Sequence, residues 1–409
     1  MRWQTMVLQR VARLIVTAII IGTAPSPGAL AQEGWPLLVV NDAATANPEL
    51  VPVTMKVAGG MEAPGTTVML PPGFQIELLA TGLNDPRFMA FDPQGNLLVA
   101  GRGDDAIYRY EAGDDGKIPP SVAPPAPLIT GLHAPSNVAF YQDGDTLYLY
   151  VGETDRVTRF PYDPNGPVGE GEIVIPDLPT GGHSTRTVAF GPDGKLYLAV
   201  GSSCNICVEE DERRAAVLRY NPDGSGYERF AWGLRNPVGL AFQPGTDLLW
   251  ATVNERDHQG NEVPPDLVTI VVQGADYGWP YCQPPHGTPQ EEGNDCSHVT
   301  PPTIGIQAHS APLGLAFATS EALPKEMQGD LFVVQHGSWN REPPAAPKIL
   351  RIDMEDGTPV AAMDFAMGWQ DDNGNRWGRP AGIVMAPDGS IIVSDDDAGV
   401  LYRITYTGA

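Results

Sequence analysis

His183 and Arg186 lie three residues apart, just ahead of an apolar run, and the pattern recurs along the chain. Arg235 and Asn236, His309 and Ser310, and Arg376 and Arg379 each precede a similar run. Two further polar segments, Asn254-Glu255-Arg256-Asp257 and Gln335-His336-Gly337-Ser338-Trp339-Asn340-Arg341, follow such runs. A guanidinium offers a planar fork of donors that matches a carboxylate or phosphate. An imidazole near neutrality can take up a proton. Arginines gathered around a His would form a pocket for a small anion with a proton acceptor beside it. Taken singly, a loop Arg reads as a surface ion pair and a loop His as a hydrogen-bonded structural residue. The anion-pocket reading depends on the fold bringing the segments together.

A repeat supplies that fold. Val/Leu/Met-Ala-Phe or a close relative recurs around Ala90, Ala139, Ala189, Ala241, Ala316 and Val384, at spacings of 49, 50, 52, 75 and 68 residues. A Pro-x-Gly turn often follows, as in Pro93-Gln94-Gly95, Pro192-Asp193-Gly194 and Pro387-Asp388-Gly389. Then comes a second strand-like run, such as Lys195–Val200, and a third, such as Val217-Leu218-Arg219-Tyr220 or Leu401-Tyr402-Arg403-Ile404. Units of about 50 residues with three or four strands are propeller blades. Six of them predict an all-β, six-bladed β-propeller over residues 71–409. The last repeat stops after its third strand. Phe74-Gln75-Ile76-Glu77-Leu78-Leu79 has no blade of its own and is expected to close that blade as its outer strand. Residues 32–70 show no repeat and are expected to be an irregular leader. Because strands alternate in direction, the Pro-x-Gly turns share one rim. The residues preceding each first strand, and the loops after each second strand, share the other rim, and these are the polar segments above.

Composition agrees and excludes other classes. With 46 Gly and 41 Pro in 409 residues the chain carries nearly twice the usual share of turn formers, which argues against a helical bundle. Fifty acids against 25 bases give a formal charge of -25, which disfavours nucleic acid and anionic membranes as partners. Arg2, Arg10 and Arg13, the apolar run Leu14–Gly22 and Ala29-Leu30-Ala31 have the form of a secretory signal peptide over residues 1–31. The apolar run is too short to span a bilayer, so no stable membrane insertion is expected after cleavage. The protein is therefore expected to be periplasmic or secreted. In an oxidising compartment the four cysteines are expected to pair locally, Cys204–Cys207 and Cys282–Cys296. Val208 after the second cysteine excludes c-type haem attachment. Asp395-Asp396-Asp397 reads as a solvated loop more readily than as a metal site. Trp279 and Trp339 fit core or lid packing as well as a pocket wall.

These residues resemble the soluble glucose/sorbosone dehydrogenases that use pyrroloquinoline quinone (PQQ), on the L-sorbosone and aldose sugar dehydrogenase-like side. The resemblance runs from about Pro71 to Tyr406. It is carried by Gly182-His183-Ser184-Thr185-Arg186, Trp232-Gly233-Leu234-Arg235-Asn236-Pro237, Gly274–Pro280, His336-Gly337-Ser338-Trp339-Asn340 and Arg376-Trp377-Gly378-Arg379-Pro380. It implies a quinoprotein that oxidises a sugar or related aldehyde or hemiacetal, passing electrons to a further acceptor. His183 matches the general base. Arg235 and Asn236 match the Arg-Asn pair at the cofactor, Lys348 the carboxylate-binding Lys, and Arg376 and Arg379 the Arg pair. The family also places Ca2+ at the cofactor, and the loop Glu255 to Asp266 is where this chain would hold it. Ser202 stands where the glucose-oxidising branch has a carboxylate that orients the His, with Glu209 or Glu210 as substitutes.

Two other readings remain. A gluconolactonase-like, metal-dependent hydrolase would need an acid and Asn cage at the channel centre, where this rim is richer in Arg and His. A non-catalytic exported binding propeller would bind a ligand without turnover.

Overall fold

The computed structural model describes residues 38–39, 49–57, 61, 63–65, 67–284 and 287–408. The signal-peptide reading lies outside them. The fold is the expected six-bladed β-propeller. The first strands of the blades are Pro86–Phe91, Asn137–Asp143, Arg186–Phe190, Pro237–Phe242, Pro312–Phe317 and Pro380–Met385. Each lies beside the next, and the sixth lies beside the first, which closes the ring. Among the described residues, helix is limited to the 3-10 turns Arg102–Asp104 and Lys325–Met327, and no helix is long and apolar enough to cross a membrane.

In blades 4, 5 and 6 the inner strands pack closely through a local device at the start of the first strand, spelled Pro237-Val238-Gly239, Pro312-Leu313-Gly314 and Pro380-Ala381-Gly382. In blade 4 the pairing slips between Pro237 and Leu240, leaving the Gly239 N–H outside the strand ladder. Thr252 on the second strand accepts that N–H at 2.8 Å and donates its hydroxyl to Leu313 O of blade 5 at 2.6 Å. Ser394 does the same in blade 6, accepting from Gly382 N and donating to Arg87 O of blade 1. Each bulge thereby becomes a tie to the neighbouring blade. A Cβ at Gly239 would stand 2.3 Å from Leu313 O, so the close approach requires glycine. Phe88, Val238, Leu313 and Ala381, from blades 1, 4, 5 and 6, form a small apolar plug at the centre.

Blade 6 is completed from the other end of the chain. Phe74–Ala80 pairs antiparallel with Val400–Tyr406, as the missing fourth strand predicted. The leader is less irregular than its lack of repeat implied. Val51–Thr54 and Thr67–Leu70 pair with each other and extend blade 5, while Lys56–Val57 runs parallel to the closing strand on blade 6. Leu38–Val39 lies parallel to Ile304–Ile306 on blade 4. These strands cover outer edges that would otherwise offer unpaired backbone groups. That role requires no repeat, so periodicity carried no sign of it.

Candidate functional site

The rim predicted to carry the chemistry surrounds a cavity of about 310 Å³ over the central plug. His183, Arg235, Asn236, Asp257, His309, His336, Trp339 and Arg379 line it, together with Arg87. Val238 and Leu313 provide its apolar floor.

On the blade 3 wall, His183 Nδ1 lies 2.9 Å from Ser202 O and 3.0 Å from Ser202 Oγ. A carbonyl only accepts, so Nδ1 carries the proton and Nε2 presents its lone pair. The Ser202 hydroxyl donates to Cys204 O at 2.7 Å, which turns its own lone pairs toward the imidazole. Ser202 thus orients the imidazole without a charge. Glu209 does not substitute for the missing carboxylate; it accepts from Ser203 N and Oγ, both at 2.7 Å. Burial first, and then the Arg235 charge, lower the His183 pKa to about 4. At neutral pH the imidazole is therefore uncharged. Gly201 makes room here: a Cβ would meet Asn236 Oδ1 at 2.3 Å and His183 Cβ at 2.6 Å.

On the blade 4 wall, all five Arg235 N–H groups are engaged. They reach Asn205 O, Asn205 Oδ1, Asn254 O, Glu255 O and Asp257 Oδ2 at 2.6–3.2 Å. Arg235 therefore lends charge to the cavity while its donors hold protein groups. Glu255 and Asp266 are buried, and burial raises both pKa values, that of Asp266 to about 7. Asp266 accepts from Glu255 N at 2.8 Å and Ala311 N at 2.9 Å. His309 Nε2 meets Gly260 O at 2.7 Å.

The opposite wall joins blades 5, 6 and 1. His336 Nε2 lies 2.8 Å from Asp396 Oδ1, and Arg87 Nη1 reaches Asp396 Oδ2 at 2.5 Å. Burial would raise the Asp396 pKa, but His336 and Arg87 outweigh it and the value falls to about 2. Burial lowers His336, so the pair is a carboxylate accepting from a neutral imidazole. Arg379 donates to His336 O and Gly337 O, each at 3.2 Å. Trp339 stands 70% exposed at the mouth, its ring edge-on to His258 at 5.5 Å.

Several expectations are corrected. Asp395-Asp396-Asp397 is solvated only at Asp397, which is exposed: Asp395 is buried and accepts from Arg379 N and Tyr402 Oη, and Asp396 anchors the second His. Lys348 does not line the cavity; it pairs with Asp364 at 2.9 Å, both buried, on the blade 5 strands. Arg376 also lies off the cavity, where it donates to Ser338 O and Ala345 O and braces the loop carrying Trp339. Arg186 is fully buried and donates to carbonyls of His183, Thr185 and Pro179. Trp279 is buried, its indole N–H on Asn205 O. Arg87 escaped the sequence reading, although Pro86-Arg87 begins a first strand just as Pro237-Val238 does. Both disulfides are formed as expected. The Cys204, Cys207 and Glu209 grouping is therefore a bridged pair beside an acid, with no thiolate to offer a metal.

Comparison with known proteins agrees with this architecture. A PQQ-dependent pyranose dehydrogenase of Coprinopsis cinerea is 25% identical over 403 residues, covering 81% of this chain and 54% of the relative. The chain thus spans about half the length of that relative. A solved Trichoderma reesei enzyme of carbohydrate-active family AA12, described as a calcium structure, superposes with a TM-score of 0.73 at 20% identity, covering 86% of this chain and 100% of that one. The holo PQQ domain of the Coprinopsis cinerea pyranose dehydrogenase gives 0.71 at 21% identity, covering 85% and 99%. At such identity the superpositions speak for the fold. The family described as TrAA12-like matches residues 68–407, from the last leader strand to the end of blade 6, and the chain belongs to that family.

Proposed function

We propose that the protein is an exported quinoprotein dehydrogenase that oxidises a sugar or related aldehyde, with PQQ seated in the rim cavity. One observation carries the reading: three arginines and a neutral His with an unshared Nε2 converge on one cavity of a strongly acidic chain. The polar groups fit such a ligand. Arg87 Nε–H, a donor, and Asn236 Oδ1, an acceptor, are buried without a protein partner, and PQQ brings carboxylates and carbonyl oxygens that can meet the Arg87 donor. Arg87, Arg379 and Asn236 would hold it, with Arg235 supplying charge from behind. Glu255, Asp257 and Asp266 offer oxygen ligands suited to Ca2+. When bound, the quinone supplies the two-electron acceptor, which no side chain can provide.

The chain's own part is orientation and proton handling. His183 Nε2 takes the proton of the sugar's anomeric hydroxyl as that carbon is oxidised. The Ser202 carbonyl fixes the tautomer that makes this possible. The apolar floor and the buried ion pairs keep the cavity walls rigid and limit water. The two disulfides and the signal-like first 31 residues support export, with the mature chain starting after Ala31.

The test is dye reduction by the purified mature chain, with and without PQQ and calcium, across aldoses, sorbosone and simple alcohols. Activity that needs PQQ and disappears in His183→Ala is expected. Absence of both turnover and any change in PQQ absorbance on titration would overturn the reading. PQQ binding without turnover would favour the binding propeller, and lactone hydrolysis needing only a metal would favour the hydrolase.

A further inference from the structure

Cys204 and Cys207 flank Asn205 and Ile206, and their bridge closes a turn just beyond the second strand of blade 3, Leu196–Val200. Asn205 reaches from this turn across to blade 4. Its Oδ1 accepts from Arg235 Nη2 at 3.0 Å and from Asp257 N at 2.8 Å. Its Nδ2 donates to Asp257 O at 3.0 Å. Its main-chain carbonyl accepts from Arg235 Nε and Trp279 Nε1, each at 3.1 Å. Only a carboxamide both accepts twice and donates once in this arrangement; a carboxylate would lose the donor and stand against the Asp257 carbonyl. The neighbouring Cys204 carbonyl receives the Ser202 hydroxyl that faces His183. One covalently closed turn therefore touches the supports of both the imidazole and the guanidinium.

We propose that Asn205, held by the Cys204–Cys207 bridge, is a positioning residue that locks Arg235 and Asp257 against the His183 wall and so pre-shapes the cavity for its anionic ligand. The ligand's identity rests on the function proposed above, but the locking does not. Asn205 lies outside the blade strands, and its partners are Arg235, Asp257 and Trp279. Loss of its side chain strands one guanidinium N–H, the Asp257 amide and the Asp257 carbonyl, while its main-chain carbonyl still holds Arg235 Nε and Trp279 Nε1. Such groups recover partners by admitting water. Water beside Arg235 screens its charge and eases the burial of His183, so the imidazole becomes easier to protonate. Arg235, Asp257 and Arg214 are the charged groups that act on that imidazole.

The test compares Asn205→Ala with the double variant Cys204→Ser/Cys207→Ser in the full chain. Three quantities are read: thermal unfolding, tryptophan-fluorescence titration with PQQ, and an NMR titration of His183 in the protein alone. Asn205→Ala is expected to unfold cooperatively near the wild-type temperature and to bind PQQ about tenfold more weakly, the scale of a lost charge-assisted hydrogen bond. Its His183 midpoint is expected to rise from about 4 toward the ordinary imidazole value. The double variant, which keeps the Asn205 side chain but unties its turn, should move both readings the same way by a smaller factor. Unchanged PQQ affinity and an unchanged His183 midpoint in both variants would overturn the proposal. Should the wild-type chain fail to bind PQQ, the function proposed above falls, while the His183 midpoint still decides the role of Asn205. Should Asn205→Ala not fold, the double variant decides by the same two readings.

Discussion

The blade 3 wall of the cavity and the wall that joins blades 5, 6 and 1 hold a histidine each by opposite means. His183 rests on a neutral carbonyl and hydroxyl of Ser202. His336 rests on the carboxylate of Asp396, itself tied to Arg87. A neutral support fixes the tautomer yet leaves the ring free of a counter-charge, so burial and Arg235 keep it unprotonated. A carboxylate support favours the imidazolium, and here burial offsets it. The first wall suits a group that must start neutral and accept a proton. The second suits an anchor that joins blades 5, 6 and 1 while leaving Arg87 and Arg379 beside the ligand.

Removing each histidine tests that division most severely. His183→Ala should lower kcat by about 100-fold or more, the usual scale for a lost general base. His336→Gln should leave kcat within about tenfold and act mainly through weaker cofactor binding. The reverse ranking would make His336 the proton acceptor, since it too lines the cavity and is held by a carboxylate.

Stability separates the walls next. Asp396→Asn removes one partner of a largely buried ion pair and should cost about 3 kcal/mol or more in denaturant unfolding. Ser202→Ala removes a neutral acceptor while the main-chain carbonyl remains, and should cost about 1 kcal/mol.

Acid sharpens the same contrast. Both groups have lowered native pKa values, so each contributes stability above its unfolded value that is lost as pH falls through its folded value. His183 loses its share between about pH 6.5 and 4, and Asp396 between about pH 4 and 2. Thermal unfolding followed against pH should show the upper step shrink in His183→Asn, with His336 supplying the rest, and the lower step shrink in Asp396→Asn. The pH profile of kcat/KM should accordingly fall near pH 4, with no break near 6.5. The smallest effect is expected at the mouth. Trp339→Ala, at a ring 70% exposed, should raise KM and leave the unfolding temperature unchanged.

Much of the fold was legible because propeller blades repeat. Each inner strand needs small and apolar residues at fixed places, so Ala-Phe and Pro-x-Gly recur wherever the geometry does. The closing strand was legible by counting, since one blade lacked a strand and one strand lacked a blade. Edge strands in the leader obey no repeat and stayed hidden. At the site, His183, Arg235 and Asn236 were legible from their place ahead of a first strand. Arg87 shares that place but sits inside its strand, where a single Arg looks like any other. Asp396 was misread because three consecutive acids resemble solvent-facing charge. Burial between Arg87 and His336, 309 and 60 residues away, gives that acid its role. Lys348 was assigned from resemblance and is paired with Asp364 instead.

The amino-acid order by itself determined the blade count, the chemical rim and the disulfide partners, since all three follow from local spacing and strand direction. Only the tertiary structure decided which charges are available to a ligand. A guanidinium's donors are limited in number, and whether they face a cavity or protein carbonyls depends on groups brought together from different blades. Arg235 has all five engaged, Arg87 keeps its buried Nε–H unmatched, and that difference arises from packing across blade seams.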